Sequence, residues 1–536
     1  MLPLTQRGIT FHRPVAFWAG TALIIIGVIA HLPDFLAMEG MQYRMAGMPM
    51  SALMIAGMFF VAGGLVLATW GLLPRPDGRP APAASSFHLR AIDEAALTPA
   101  HWGLLLVLGI ALVIDVMKPA TLAFVLPGMA AEYGIPPGRV AWLLVAALSG
   151  TTIGSVAWGV MADRIGRRAA ILLASLMFIG TAICGTMPSF ATNLLMCFLM
   201  GLAAGGMLPI VYALMAESVP ARPRGWLVVL HGGMGTVGGT LAAAGCAYLL
   251  EPTYSWRALW LMNLPTGIMM LILNRWIPES PRFLLDRGRV DEARAVMARY
   301  GVAIETRPLA PGEREIRQPP MQWSDMASLF SPPFRSQTVV VFVYGLAWGV
   351  VNWGFLSFLP TFLRGAGFGA GAASFLLFLS TLVAIPGTVL VAMTYGRWSS
   401  RKSMVMYAVA SIVFAVGLAW FAPTAASNRL AVIGLLALLY AATGGVIAML
   451  SPYTAEVYPT RLRGTGSGVS AASSKLGGLI GGIATVTGLI SVSAGMLTPA
   501  VLVSIPMAAA AVVVALRAVE TRGRRLEELT NVERAV

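Results

Sequence analysis

The chain alternates long apolar runs with short polar, mostly basic turns along almost its whole length. Fourteen runs approach membrane-crossing length: residues 14–36, 50–73, 101–126, 140–162, 169–188, 191–215, 226–250, 257–277, 336–360, 372–394, 403–421, 430–454, 467–491 and 498–517. A hydrocarbon core about 30 Å thick takes roughly 20 residues of helix. Lipid cannot satisfy open backbone groups, so each run is predicted to be helical, and none shows the ~10-residue alternation of a barrel strand. The first run, Pro14 to Leu36, follows Arg7 and Arg13. It is longer than the apolar region of a secretory signal, about 7–15 residues, and reads as a retained helix. His31 and Asp34 near its end are expected at the membrane interface.

Two stretches break the alternation. Residues 74–100 are rich in Pro and Ala and read as a linker. Residues 278–335 form a long hydrophilic connector, in which Val290, Ala293, Met297 and Tyr300 share one helical face. That spacing predicts a short amphipathic helix on the cytoplasmic surface.

The pattern repeats itself. Glu217-Ser-Val-Pro220-Ala-Arg222-Pro-Arg224-Gly225 returns as Glu456-Val-Tyr-Pro459-Thr-Arg461-Leu-Arg463-Gly464. Each copy ends one apolar run and begins the next. A charged turn at the same place in both halves marks a duplicated membrane bundle, an architecture typical of transporters.

Composition agrees with the pattern: 57% of residues are hydrophobic and 11% charged, against about 25% charged in a soluble domain. The net charge of +14 does not mark a nucleic-acid binder, because the cations lie in the turns. With the N-terminus placed in the cytoplasm, 30 of the 37 Lys and Arg fall on that side. Only Arg44, Arg139, Arg257, Arg364 and Arg429 fall on the other, with Lys118 and Lys475 inside runs. The positive-inside rule therefore puts both termini in the cytoplasm of a bacterial-type inner or plasma membrane. Cys184, Cys197 and Cys246 lie in apolar runs without metal-ligand or disulfide spacing. No Walker phosphate loop, H-E-x-x-H or G-x-S-x-G occurs. The expectation is a protein that is not an enzyme and carries no cofactor or metal.

Between the second and third runs of the duplicated body stands Gly159-Val-Met-Ala-Asp163-Arg164-Ile-Gly166-Arg167-Arg168, and after the sixth comes Pro278-Glu279-Ser-Pro281-Arg282. Trp256-Arg257 precedes the sixth run, and Glu520-Thr-Arg522-Gly523-Arg524 follows the last. In this order and at these boundaries they resemble the turns of major facilitator superfamily transporters, in the branch of sugar porters and metabolite–proton symporters. The resemblance implies an all-α polytopic membrane protein of two six-helix bundles, 101–277 and 336–517. Residues 1–100 would add two extra N-terminal transmembrane helices and a linker, and 518–536 a cytoplasmic tail. It also implies alternating access by a monomer in the bilayer, with a small molecule and protons as partners.

The cytoplasmic turns pair acids with arginines. Asp163, Glu217, Glu279, Glu456 and Glu520 are expected to face Arg164, Arg167, Arg224, Arg282 and Arg463, with Arg168 beside them, and so to latch the cytoplasmic gate. Gly159 and Gly166 would permit close approach or unusual dihedrals. The second-half counterpart, Gly396-Arg-Trp-Ser-Ser-Arg401-Lys402, lacks the Asp and the later Gly.

Ionisable groups inside spans mark functional sites. Asp115 and Lys118 lie one turn apart on the first body run; Asp115 is the candidate proton carrier, and Lys118 either its partner or a contact for an anionic substrate. Lys475 meets such an anion or snorkels to the surface. His231 shuttles protons or ties two helices together. One acid against two lysines favours a small organic anion, carboxylate-type, carried with protons. A proton-coupled sugar or polyol porter, reading hydroxyls through Asn352, Trp348 and Trp353, stays open, as does an antiporter for drugs or metabolites. A transporter-like sensor would need an output domain larger than these tails.

Overall fold

The computed structural model describes residues 4–6, 9–73, 96–302, 327–332, 334–422, 428–458, 462–490 and 495–521. The longer helices are α1 Pro14–Ile29, α2 Ala52–Leu72, α3 Pro99–Tyr133, α4 Trp142–Ile165, α5 Arg167–Gly180, α6 Phe190–Ala204, α7 Met207–Ser218, α8 Ala221–Tyr254 and α9 Asn263–Leu273. They continue with α10 Val290–Arg299, α11 Arg335–Gly354, α12 Leu359–Gly365, α13 Ala370–Met393, α14 Ser400–Phe421, α15 Arg429–Val457, α16 Arg463–Val486 and α17 Leu497–Arg517. Two three-residue strands pair antiparallel, Leu4 opposite Phe11. Twelve helical stretches among the described residues are long and apolar enough to cross a membrane.

That number differs from the fourteen runs for a local reason. The fourth body run is divided into α6 and α7 by Gly205-Gly206. A Cβ at Gly206 would stand inside the Trp158 ring, so the break lets α4 and its indole come close. The sixth run forms the short pieces Ala258–Leu261, α9 and the 3₁₀ turn Asn274–Trp276.

Residue contacts divide the chain into two compact units. The first holds residues 1–115, 150–224 and 257–317; the second holds 116–149, 225–256 and 318–536. In the first, α1 and α2 form a hairpin whose backbones touch. A Cβ on Gly20 would lie 2.5 Å from the Gly64 carbonyl, and one on Gly27 2.6 Å from that of Gly57. Ser51 caps α2, accepting from Met54 N at 3.1 Å and donating to Asp34 at 2.6 Å. His31 is fully buried against Gly57, and its Nδ1–H donates to the Gly27 carbonyl at 2.8 Å.

The hairpin covers α5, with Val61 seated over Gly180. As a result α5 is buried over 94% of its spanning stretch. In the second unit the repeat-equivalent α14 is buried over 39% and exposes Val409, Val413, Trp420 and Phe421. The amphipathic connector helix is present as α10. Ala293, Met297 and Tyr300 are buried, and the Tyr300 ring lies 4.7 Å from that of His101 at the start of α3.

Candidate functional site

The turn from α4 into α5 is built around Glu279. Gly166 adopts φ +102°, a region closed to most side chains. A Cβ there would also collide with the Glu279 carboxylate. That carboxylate accepts from the backbone N–H of Arg167 at 2.8 Å, of Arg168 at 3.2 Å and of Ser280 at 2.9 Å. It therefore caps the start of α5, where orphan N–H groups and the helix dipole favour an anion. Glu279 is 1% exposed, and burial pushes its carboxyl up to about 7 against the opposing pull of these N–H groups and Arg167. Arg168 is buried as well: its Nε donates to the Asn274 carbonyl at 3.0 Å, and the Asn274 amide donates back to the Arg168 carbonyl at 3.0 Å. Arg287 holds the Arg164 carbonyl at 2.8 Å.

The second half uses the same device without the same turn. Glu520 accepts from Ser400 N at 2.9 Å, from the Ser400 hydroxyl at 2.6 Å and from the Ser399 hydroxyl, capping α14. Glu456 accepts from the Tyr395 hydroxyl at 2.7 Å. At Glu279 the expected arginine, Arg167, does act on the carboxylate, and backbone N–H groups at the start of α5 are added to it; Glu520 bonds the start of α14. Around Gly159, among the described residues, nothing lies within 4 Å of where a Cβ would stand. The side chains of Asp163, Glu217, Arg224, Arg282 and Arg463 lie outside the described residues.

The buried candidates are distributed along the units. Asp115 and Lys118 are each 2% exposed on α3. Asp115 ends a stretch of the first unit, where Tyr212 of α7 lies within its electrostatic reach. Lys118, His231, Asn352 and Lys475 belong to the second unit. His231 is buried, and its Nδ1–H donates to the Leu227 carbonyl at 3.1 Å. Lys475 and Asn352 are half-buried. Trp348 donates to the Thr443 carbonyl at 3.0 Å, and Trp353 packs over Gly478; both serve helix packing.

The partners of two arginines, named in the sequence only by position, were missed there. Arg257, fully buried, donates to the carbonyls of Gly185 at 3.0 Å and Met187 at 2.9 Å, closing the end of the α5 segment. In the second unit Arg364 of α12 meets Glu251 of α8 at 2.5 Å. The available signal was an arginine on the side that carries few cations and an acid at the end of an apolar run.

Residues 105–482 match the family model described as Major Facilitator Superfamily. The chain belongs to this superfamily. It is an integral membrane transporter and not an enzyme. The niacin transporter NiaP of Acinetobacter baylyi is 26% identical over 445 residues, covering 82% of this chain and 98% of that protein. The 4-hydroxybenzoate transporter PcaK of the same species is 26% identical over 404 residues, covering 73% and 86%. A partially occluded inward open structure of the xylose transporter XylE from E. coli aligns with a TM-score of 0.60 at 15% identity, covering 80% of this chain and 100% of that one. The structural likeness supports the shared fold.

Proposed function

We propose that this chain is a proton-coupled symporter of a small, single-ring organic acid, carried as its carboxylate. The observation that carries the proposal is Asp115 and Lys118, both buried one turn apart on a spanning helix. A buried acid and a buried cation are expensive in a membrane and are retained where they act. Asp115 carries the proton, Lys118 and Lys475 attract the carboxylate, and His231 supplies a further polar contact. Relatives named for niacin, 4-hydroxybenzoate and benzoate supply the class of cargo, since each is a ring bearing one carboxylate. The excess of basic residues in alternate turns supports a reading with both termini in the cytoplasm of a bacterial inner membrane, the chain acting as a monomer. The α1–α2 hairpin spans the bilayer twice.

The test is uptake of labelled nicotinate, benzoate and 4-hydroxybenzoate, with xylose as a neutral control, into proteoliposomes with and without an inward proton gradient. Gradient-driven accumulation of an aromatic acid by the parent, lost in Asp115→Asn, supports the reading. Accumulation of xylose but no acid, or undiminished accumulation by Asp115→Asn, overturns it.

A further inference from the structure

We infer that Glu251 and Arg364 form the latch that closes the transporter on the face opposite the Asp163–Arg168 turn. The inference rests on the transporter reading but on neither its cargo nor its coupling ion. Helix alternation fixes the location. The 163–168 turn joins the ends of α4 and α5, and α8 begins on that same side, so Glu251 near its far end lies on the opposite face. Arg364 follows α11 and precedes α13, which runs back toward the Ser399–Ser400 turn.

These two residues come from different repeats yet share one compact unit. Their ion pair is 2.5 Å long, with side chains 7% and 22% exposed. The surrounding contacts are of the same kind. Tyr248 and Phe375 rings lie 5.1 Å apart, a Cβ on Gly245 would stand 3.2 Å from Phe378, and one on Gly371 3.5 Å from Pro252. On neighbouring helices, Gly138 approaches the Thr485 carbonyl and Gly482 approaches Val145. First-repeat segments 116–149 and 225–256 are thereby packed on the second repeat at this face.

The pair is close and incompletely satisfied at once. Among the described residues, Glu251 Oε2 and Arg364 Nε are buried without a hydrogen-bond partner. A buried pair recovers its desolvation cost only with good geometry and full hydrogen bonding. Opening returns both unsatisfied atoms to water. The pair thus holds the face shut with one bond while keeping closure reversible, as an entrance that opens in each cycle requires.

The experiment reads accessibility. A reporter cysteine replaces Phe378 in the full chain, with Cys184, Cys197 and Cys246 changed to alanine, and is labelled in proteoliposomes by a membrane-impermeant maleimide. Glu251→Gln and Arg364→Gln are each expected to raise the labelling rate about tenfold, as loss of one partner from a buried pair shifts closure toward opening. The exchanged pair Glu251→Arg with Arg364→Glu is expected to return it to within about twofold of the parent. Labelling of the single variants at the parent rate, or of the exchanged pair at the rate of the singles, overturns the assignment. Glu251→Asp, which keeps the charge and shortens the reach, covers the case in which a glutamine variant does not fold. It is expected to label severalfold faster than the parent, and the parent rate there also overturns the latch. No readout involves cargo or protons, so failure here is distinct from failure of the proposed function.

Discussion

Replacing Glu279 with glutamine should flatten the dependence of stability on pH. In the folded chain this carboxyl is raised from 4.5 to about 7, chiefly by burial. Between those values the native state binds more protons than the unfolded state, so stability falls as pH rises. The favourable contribution is full below pH 4.5 and is gone once pH passes the folded value. At about 1.4 kcal/mol per unit, titration from pH 5 to pH 8 removes about 2.5 kcal/mol. The side chain is almost wholly buried, so little solvent screening reduces this figure. Glutamine keeps one carbonyl acceptor for the start of α5 but cannot ionise. The assay is unfolding of the detergent-solubilised chain at pH 5, 6, 7 and 8, comparing parent and Glu279→Gln. Between pH 5 and pH 8 the parent should lose about 2.5 kcal/mol relative to Glu279→Gln, whose curve lacks this slope. Parallel curves, or a gap that changes in the opposite sense, would show that Glu279 is not the group responsible.

Other consequences follow from the same contacts. Gly166→Ala should destabilise by about 2–4 kcal/mol in equilibrium unfolding, through the unfavourable φ and collision with Glu279. Arg257→Gln should cost about 2–4 kcal/mol in the same assay by removing two charge-assisted bonds in a buried site. Trp256→Phe removes the 2.9 Å bond from its indole N–H to Glu132, with an expected cost of about 1–3 kcal/mol. Lys475→Gln should depress uptake of carboxylate cargo far more than that of a neutral analogue, and equal effects on the two would remove Lys475 from substrate binding.

The helical, duplicated membrane architecture was legible because span length follows from the hydrocarbon thickness and a charged turn recurs at the same place in both halves. The amphipathic connector was equally legible from the spacing of Ala293, Met297 and Tyr300. The partners of the turn acids were not. A string of letters shows Glu279 only the charge of Arg167, because backbone N–H groups carry no letter. Their role as anion donors appears only where a helix begins beside the acid. Glu251 and Arg364 were hidden for another reason. Each stands in a different repeat, at the end of an apolar run, where a charge reads as interfacial.

The two capped helices show what duplication preserved. Arg167 and Arg168 begin α5, and Ser400 begins α14; Glu279 and Glu520, each just beyond the last span of its half, seat on those starts. The Asp-Arg turn decayed in the second half, but its helix start still receives a carboxylate. Ser399 and Ser400 add hydroxyl donors to Glu520. In the first half, Gly166 opens that space by having no side chain at all. The feature the two repeats share is a carboxyl group on the N-terminus of the third helix, fixing that helix to the segment after the sixth. The surface is not duplicated: α5 is covered by the N-terminal hairpin, and α14 is not. Under the same attachment at both ends, the asymmetry predicts that truncating residues 1–73 exposes α5 without releasing Glu279. Its start should stay protected in hydrogen exchange while its middle, around Gly180, gains exposure. Loss of protection at Arg167 and Arg168 would instead make the hairpin part of the cap.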